Sequence, residues 1–199
     1  MHDRLIQDTK SPFSLFDTWF KQAEKTESDY PNTMCLSTAD ARGYPSSRMV
    51  LMKDYSNKGI TFYTNFESHK GRDILATGRA ALCFHWKTQN RQVRFEGAVV
   101  TVDNEEADAY FATRPRGSQI GAWASRQSNE LPDRETFLKR IEKYEKEFEG
   151  KDVTRPPHWS GFRVIPETIE FWQEMPYRLH DRLVFKRSGK NWKHTRLYP

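Results

Sequence analysis

The chain has 199 residues, about one domain's worth and long enough to bury a core without disulfide or metal staples. It carries 32 Lys and Arg against 27 Asp and Glu, a net charge of +5, and its mean hydropathy is −0.88. No apolar run nears the roughly 20 residues that cross a bilayer, the opening MHDRLIQDTK has no apolar signal core, and two cysteines without a Cys/His cluster argue against a disulfide scaffold or a zinc site.

A reducing cytoplasm is the expected setting. The charges are interleaved, so +5 by itself reads as a solvated mixed surface. The aromatic fraction, 14% with six Trp, is the less ordinary figure, and it suits a flat-ring site or a large interface.

One domain over 1–199 is expected, with 1–10 as a flexible leader. Ser11 and Pro12 open a helix whose Phe13, Phe16, Phe20 and Ala23 follow helical spacing. Strands are expected over 33–38, 46–53 and 59–64. Ser68 caps a short helix to about Thr77. A strand over 80–86, a turn at 88–90 and a long strand over 91–102 come next. In the long strand Val93, Phe95, Gly97 and Val99 alternate with Gln92, Arg94, Glu96 and Ala98, the pattern of a half-buried strand.

Asp103 and Glu106 form a capping box for a helix that Pro115 ends. An amphipathic helix over 132–148 turns Leu138, Ile141 and Phe148 to one side. Strands over 161–165, 168–173, 182–186 and 192–197 close the chain. Consecutive strands joined by short turns predict a mainly β, α+β fold, an antiparallel barrel with flanking helices, and not a doubly wound sheet. There is no GxGxxG and no P-loop.

Three segments carry chemistry. In the first, Arg48 and Lys53 bracket the strand RMVLMK, but positions five apart face opposite ways, so two exposed strand charges is the simpler reading. Lys70 stands in the first turn of the Ser68 helix, where a cation opposes the helix dipole and a bound anion would relieve it. In the second, Tyr110 and Arg114 share a helix face four residues apart, with Arg116 and Ser118 following. A phosphate site and a plain capped helix end fit this pattern about equally.

The third is FWQ followed by Arg178-Leu179-His180-Asp181-Arg182. Arg178 and His180 face one way if that chain is extended, and such a pair can orient and polarise a substrate. Cys35 and Cys83 read as buried small hydrophobes.

The motifs RMVLMK, FYTN, SHKG, RQVRFEG, YFATRPRGSQIGAWAS, RQS, GFRVIPETIEFWQ, RLHDR and the terminal RLYP, in this order over about 12–199, resemble the pyridoxine/pyridoxamine 5′-phosphate oxidases. The resemblance implies a split β-barrel homodimer with FMN in clefts at the subunit interface. It implies oxidation of pyridoxine or pyridoxamine 5′-phosphate to pyridoxal 5′-phosphate, with dioxygen giving hydrogen peroxide. No metal, nucleic acid or membrane enters this reading.

By position, Arg48 and Lys70 match contacts to the FMN phosphate, with His69 standing where the family often has Arg. Met49, Val50, Leu51, Met52 and Lys53 match the strand along the flavin. Tyr63, Thr64, Gln92, Gln127, Ser128, Trp172 and Arg182 match further FMN contacts. Lys53, Tyr110, Arg114 and Ser118 match the substrate-phosphate site, which decides the open Tyr110–Arg114 reading.

Arg178, Leu179 and His180 match the residues that set the pyridine ring against the flavin, with Arg178 and His180 as the catalytic pair. Glu174-Met175-Pro176-Tyr177 departs from the family's Gly- and Gln-bearing turn. The alternatives are a related FMN oxidase acting on a phenazine precursor, a non-catalytic flavin or pyridoxal-phosphate carrier and, least favoured, a basic nucleic-acid-binding barrel.

Overall fold

The computed structural model describes residues 5–199. Helix α1 (Pro12–Thr26) starts as expected, with Ser11 accepting a hydrogen bond from the Ser14 N–H and Pro12 in the first turn. Its buried face, Phe16, Trp19, Phe20 and Ala23, enters an aromatic core. Phe16 meets Phe84 at 5.3 Å, Phe95 at 5.0 Å and Tyr55 at 5.1 Å between ring centroids. Much of the aromatic excess in the composition is therefore core.

Among the described residues nine strands form one antiparallel sheet: β1 (Thr33–Ala39), β2 (Pro45–Leu51), β3 (Asp54–Ser56), β4 (Gly59–Asn65), β5 (Arg79–Trp86), β6 (Arg91–Thr101), β7 (Trp159–Gln173), β8 (Asp181–Ser188) and β9 (Asn191–Leu197). Their order is β2-β1-β5-β6-β7-β4-β3, with β8 also on β7 and β9 on β8. The two strands expected over 161–165 and 168–173 are one strand. Pro166 lies where β7 changes neighbours: β4 pairs with it up to Val164, and β8 pairs with it from Thr168 onward.

Proline lacks the N–H a ladder needs, so the break falls where it costs least. Opposite it, β6 shifts register between Glu96 and Gly97. A Cβ on Gly97 would sit 2.1 Å from the Ile165 carbonyl oxygen, so only glycine permits the approach. This changeover splits the barrel.

The alternation read in β6 holds: Val93 and Phe95 are in the core, while Gln92, Arg94 and Glu96 are half-buried on the other face. Cys35 and Cys83 are a correction. They are half-buried and directly opposite each other on β1 and β5, on the face away from the core, where Met34, Leu36, Leu82 and Phe84 point inward. Burial pushes the Cys83 thiol up to about 11.

Helix α2 (His69–Thr77) is capped by Ser68 and ends at Gly78 in the left-handed region. Helix α3 (Asn104–Ala112) is capped by Asp103. A helix with no counterpart among the expected elements, α4 (Arg116–Ala124), follows directly, with Pro115 as its N-cap residue. Helix α5 (Arg134–Glu147) begins behind an Asp133 cap.

In α5, Ile141 packs on a second core cluster of Phe111, Ile120, Phe148, Val153 and Trp159, while Leu138 is exposed, against expectation. Of the segment expected to be a flexible leader, 1–4 lie outside the described residues. Ile6 is buried, and its N–H donates to Asp181 at 2.8 Å.

Candidate active site

A cavity of about 610 Å³ lies between the end of β2, β4, the start of α2 and the α3–α4 junction. Met49, Val50 and Leu51 form one wall. Met52 does not reach it. Its side chain is in the core, and its backbone is tied to Asn32.

One end of the cavity is built around Lys70, which is 8% exposed. Its Nζ donates to Thr64 Oγ1 at 3.2 Å, Ser68 Oγ at 3.2 Å and Gln127 Oε1 at 3.3 Å. All three partners are neutral. Burial first, and then the charge of nearby Arg48, push the Lys70 ammonium below its usual range. Burial likewise lowers Arg48. A buried ammonium stands at this end with no carboxylate among the described residues that line the cavity, an arrangement that favours an anion.

A second cationic group in the same lining holds Lys53, Tyr110, Arg114 and Ser118. Arg114 lies just beyond α3, its guanidinium 4.6 Å from the Trp159 ring centre and 5.5 Å from that of Phe111. Burial lowers its pKa. Its Nη1 is buried with no hydrogen-bond partner among the described residues. Tyr110 stacks on Tyr63 at 4.0 Å, and both rings lie parallel to Trp159. The Tyr63 phenol, buried and beside Glu106, is pushed up to about 12 and stays protonated near neutrality.

A second group of expected residues forms elsewhere. Gln92, Trp172 and Arg182 stand in register on β6, β7 and β8, on the face away from the core. Arg182 pairs with Glu170 at 2.8 Å, and Arg94 approaches the same carboxylate at 3.4 Å. His180 packs on Trp172 at 4.6 Å, its Nδ1 accepting from the Met175 N–H.

Arg178 and Leu179 are exposed at a short turn, Pro176–Arg178. The expectation that Arg178 and His180 share a face of extended chain fails: Tyr177 and Arg178 both have positive φ, 61° and 62°, so strand alternation does not apply. None of these residues lines the cavity.

Residues 20–148 match the family model described as pyridoxamine 5′-phosphate oxidase, and residues 159–199 match the model described as the pyridoxine 5′-phosphate oxidase C-terminal dimerisation region. The chain is 52% identical over 200 residues to the pyridoxine/pyridoxamine 5′-phosphate oxidase of Gluconobacter oxydans, covering all of both chains. It is 51% identical to that of Mesorhizobium japonicum over 96% of this chain and 94% of the relative. Among solved structures, PhzG from Burkholderia lata, in complex with tetrahydrophenazine-1-carboxylic acid, superposes with a TM-score of 0.91 at 31% identity, over 97% of this chain and 95% of that one. An FMN-binding protein from Nostoc punctiforme shares the fold, with a TM-score of 0.75 at 14% identity over 96% and 100%.

The chain belongs to the pyridoxamine 5′-phosphate oxidase family. The family's division of the chain follows the geometry. The cavity lining falls almost wholly in the first matched region, while Trp172, Arg178, Leu179, His180 and Arg182 fall in the dimerisation region.

Of the expected site residues, the cavity brings together Met49, Val50, Leu51, Lys53, Tyr63, Thr64, Lys70, Tyr110, Arg114, Ser118 and Gln127. Arg48 and His69 stand behind the Lys70 end, and Ser128, exposed at φ 69°, lies beside Gln127 off the lining. Two contributors were not read from the sequence: Trp159, which carries Arg114, and Asp73, whose only sequence signal is its i+4 spacing from His69.

Proposed function

We propose that this chain is an FMN-dependent oxidase converting pyridoxine 5′-phosphate and pyridoxamine 5′-phosphate to pyridoxal 5′-phosphate in the cytoplasm, working as a homodimer with its sites at the interface. The observation that carries this reading is the pairing of two cationic ends in one cavity, one ending in an unpartnered buried Arg114 Nη1. Two phosphates, one on the cofactor and one on the substrate, require two such ends. Naming of relatives at 51–52% identity over nearly the whole chain supports the same reaction. Two free thiols fit a reducing compartment.

In this reading Lys70 and Arg48, with Thr64 and Gln127, hold the flavin phosphate, and the Met49–Leu51 wall lies along the ring. Bound FMN supplies a two-electron acceptor that dioxygen restores, giving hydrogen peroxide. Arg114, Lys53, Tyr110 and Ser118 grip the substrate phosphate and so fix the ring at the other end. Tyr110 can donate its phenolic proton to a phosphate oxygen, and Arg114 places Nη1 there.

Arg178, Leu179 and His180 come from the partner and would hold the pyridine ring in line, with its C4′ carbon turned toward the bound cofactor. Their work is alignment, which by itself supplies large rate factors. Identity of 51–52% to relatives named pyridoxine/pyridoxamine 5′-phosphate oxidase, against 31% to PhzG, weighs against the phenazine reading.

The test is anaerobic mixing of the FMN-loaded protein with pyridoxine 5′-phosphate. The yellow colour bleaches, returns in air, and pyridoxal 5′-phosphate appears. A flavin that stays yellow would move the assignment to another substrate or to a carrier.

A further inference from the structure

Behind the Lys70 end lies a carboxylate that the proposed reaction does not use. Asp73, one turn into α2, is 4% exposed. Its Oδ2 accepts from Thr38 Oγ1 at 2.7 Å and from Ser46 Oγ at 3.2 Å, and His69 Nε2 lies 3.6 Å from Oδ1. The same two hydroxyls accept from Arg48: Nη1 reaches Thr38 Oγ1 at 2.7 Å, and Nη2 reaches Ser46 Oγ.

A hydroxyl has one proton. An ionised carboxylate only accepts, so it draws both hydroxyl protons to itself and turns both sets of lone pairs toward the guanidinium. Arg48 is thereby gripped through one edge. Its Nε–H and second Nη2 proton have no protein partner among the described residues. A carboxylate in direct contact would consume those donors and neutralise the charge; two interposed hydroxyls fix the direction and leave the donors available.

We infer that Asp73 is a positioning residue that sets Arg48 for the flavin phosphate, and so makes the site select phosphorylated flavin over riboflavin. This rests on the reading of the Lys70 end as the flavin-phosphate site. Asp73 touches no flavin atom in this scheme; it acts through Thr38 and Ser46. An Asn at this position keeps the bulk and removes the negative charge, so the oxygen that accepts from both Thr38 and Ser46 holds their protons less firmly.

The experiment compares FMN and riboflavin binding to the apo-protein by flavin fluorescence quenching, for wild type, Asp73→Asn and Ser46→Ala. Ser46→Ala keeps Asp73 paired to Thr38 and guards against misfolding of the Asn variant. In both variants the Kd for FMN rises roughly tenfold or more, about the effect of one weakened charge-assisted hydrogen bond, while the riboflavin Kd stays within about twofold of wild type. Variants that bind FMN as wild type does, or that lose both flavins to the same degree, overturn the inference; the second result is what a merely structural pin between α2 and the sheet gives. A wild-type chain that binds riboflavin as tightly as FMN removes the phosphate-site reading and the inference with it.

Discussion

Lys70 and Arg114 sit in a walled cavity that holds them before any ligand arrives, whereas Arg178 and Leu179 stand on a turn that holds them out in solvent. The cavity half gains its chemistry from burial. Lys70 and Arg114 are desolvated, lowered in pKa and left without carboxylate partners among the described residues of the wall. The C-terminal half gains its chemistry from geometry. Successive left-handed residues, Tyr177 and Arg178, cost roughly 1–2 kcal/mol each.

Pro176, the hydrogen bond from the Leu179 N–H to its carbonyl, and the His180–Met175 bond keep that turn in place. Beneath it the row is locked by Arg182 and Arg94 on a Glu170 that is 5% exposed. A prepared receptacle and a rigid, outward-held probe are complementary. One chain carries both, and the probe lies in the region matched as dimerisation region. On the proposed reading the difference means that neither half is an active site alone.

Subunit complementation breaks or keeps that comparison with the largest effect. Lys70→Met removes the cavity half, Arg178→Ala the probe half, and each homodimer is nearly inactive. Co-refolded in equal amounts, half the dimers are mixed and each mixed dimer has one intact site, so roughly a quarter of wild-type activity returns. A mixture that stays inactive would show that each chain completes its own site.

Next in size, Arg178→Ala lowers kcat/KM by about a hundredfold, the scale of a lost alignment, with FMN still bound. Steady-state kinetics beside a flavin titration checks both parts, and an unchanged kcat/KM removes the aligning role. Arg114→Ala acts on the receptacle and falls mainly on KM. Loss of a charged hydrogen bond costs about 1.5–3 kcal/mol, or roughly 10- to 150-fold in kcat/KM. An unchanged KM for pyridoxine 5′-phosphate rejects the phosphate assignment.

The receptacle was more legible in the sequence than the probe. Ser68, Asp103 and the alternation of β6 announce themselves through local chemistry, so α2, α3 and β6 fall where the pattern puts them. The helix α4 did not, because Gly117, Gly121 and Pro115 all read as breakers. The continuity of β7 through Pro166 is set by the change of neighbour from β4 to β8, a long-range event with no local mark.

The turn at Tyr177 and Arg178 is the hardest case. Nothing in those residue types favours positive φ, and the strain exists only because surrounding contacts impose it. The motifs propose the site residues, but only the fold divides them into two groups. Trp159 and Asp73 entered the site through partners 45 and 35 residues away, Arg114 and Thr38, which no spacing rule reaches.

The smallest effect tests the claim that the receptacle is held at a cost. Lys70 is buried, and its pKa in the folded chain lies below the 10.5 of an exposed lysine. Between the folded value and 10.5 the unfolded chain therefore binds more protons than the folded one, and stability of the apo-protein rises with pH through that window. Lys70→Met has no such term. Near neutrality the methionine variant should melt higher than wild type, by roughly 2–4 °C, the shift that about 1 kcal/mol gives at this chain length. The gap should shrink as pH climbs from the lowered folded value toward 10.5.

With saturating FMN the order should reverse, since ligand binding stabilises only the chain that retains the site. Thermal denaturation of both proteins, with and without FMN over a pH series, reads all three comparisons. A methionine variant that melts lower than wild type without FMN would mean that Lys70 is satisfied by Thr64, Ser68 and Gln127 alone, and that the cavity is not strained toward an anion.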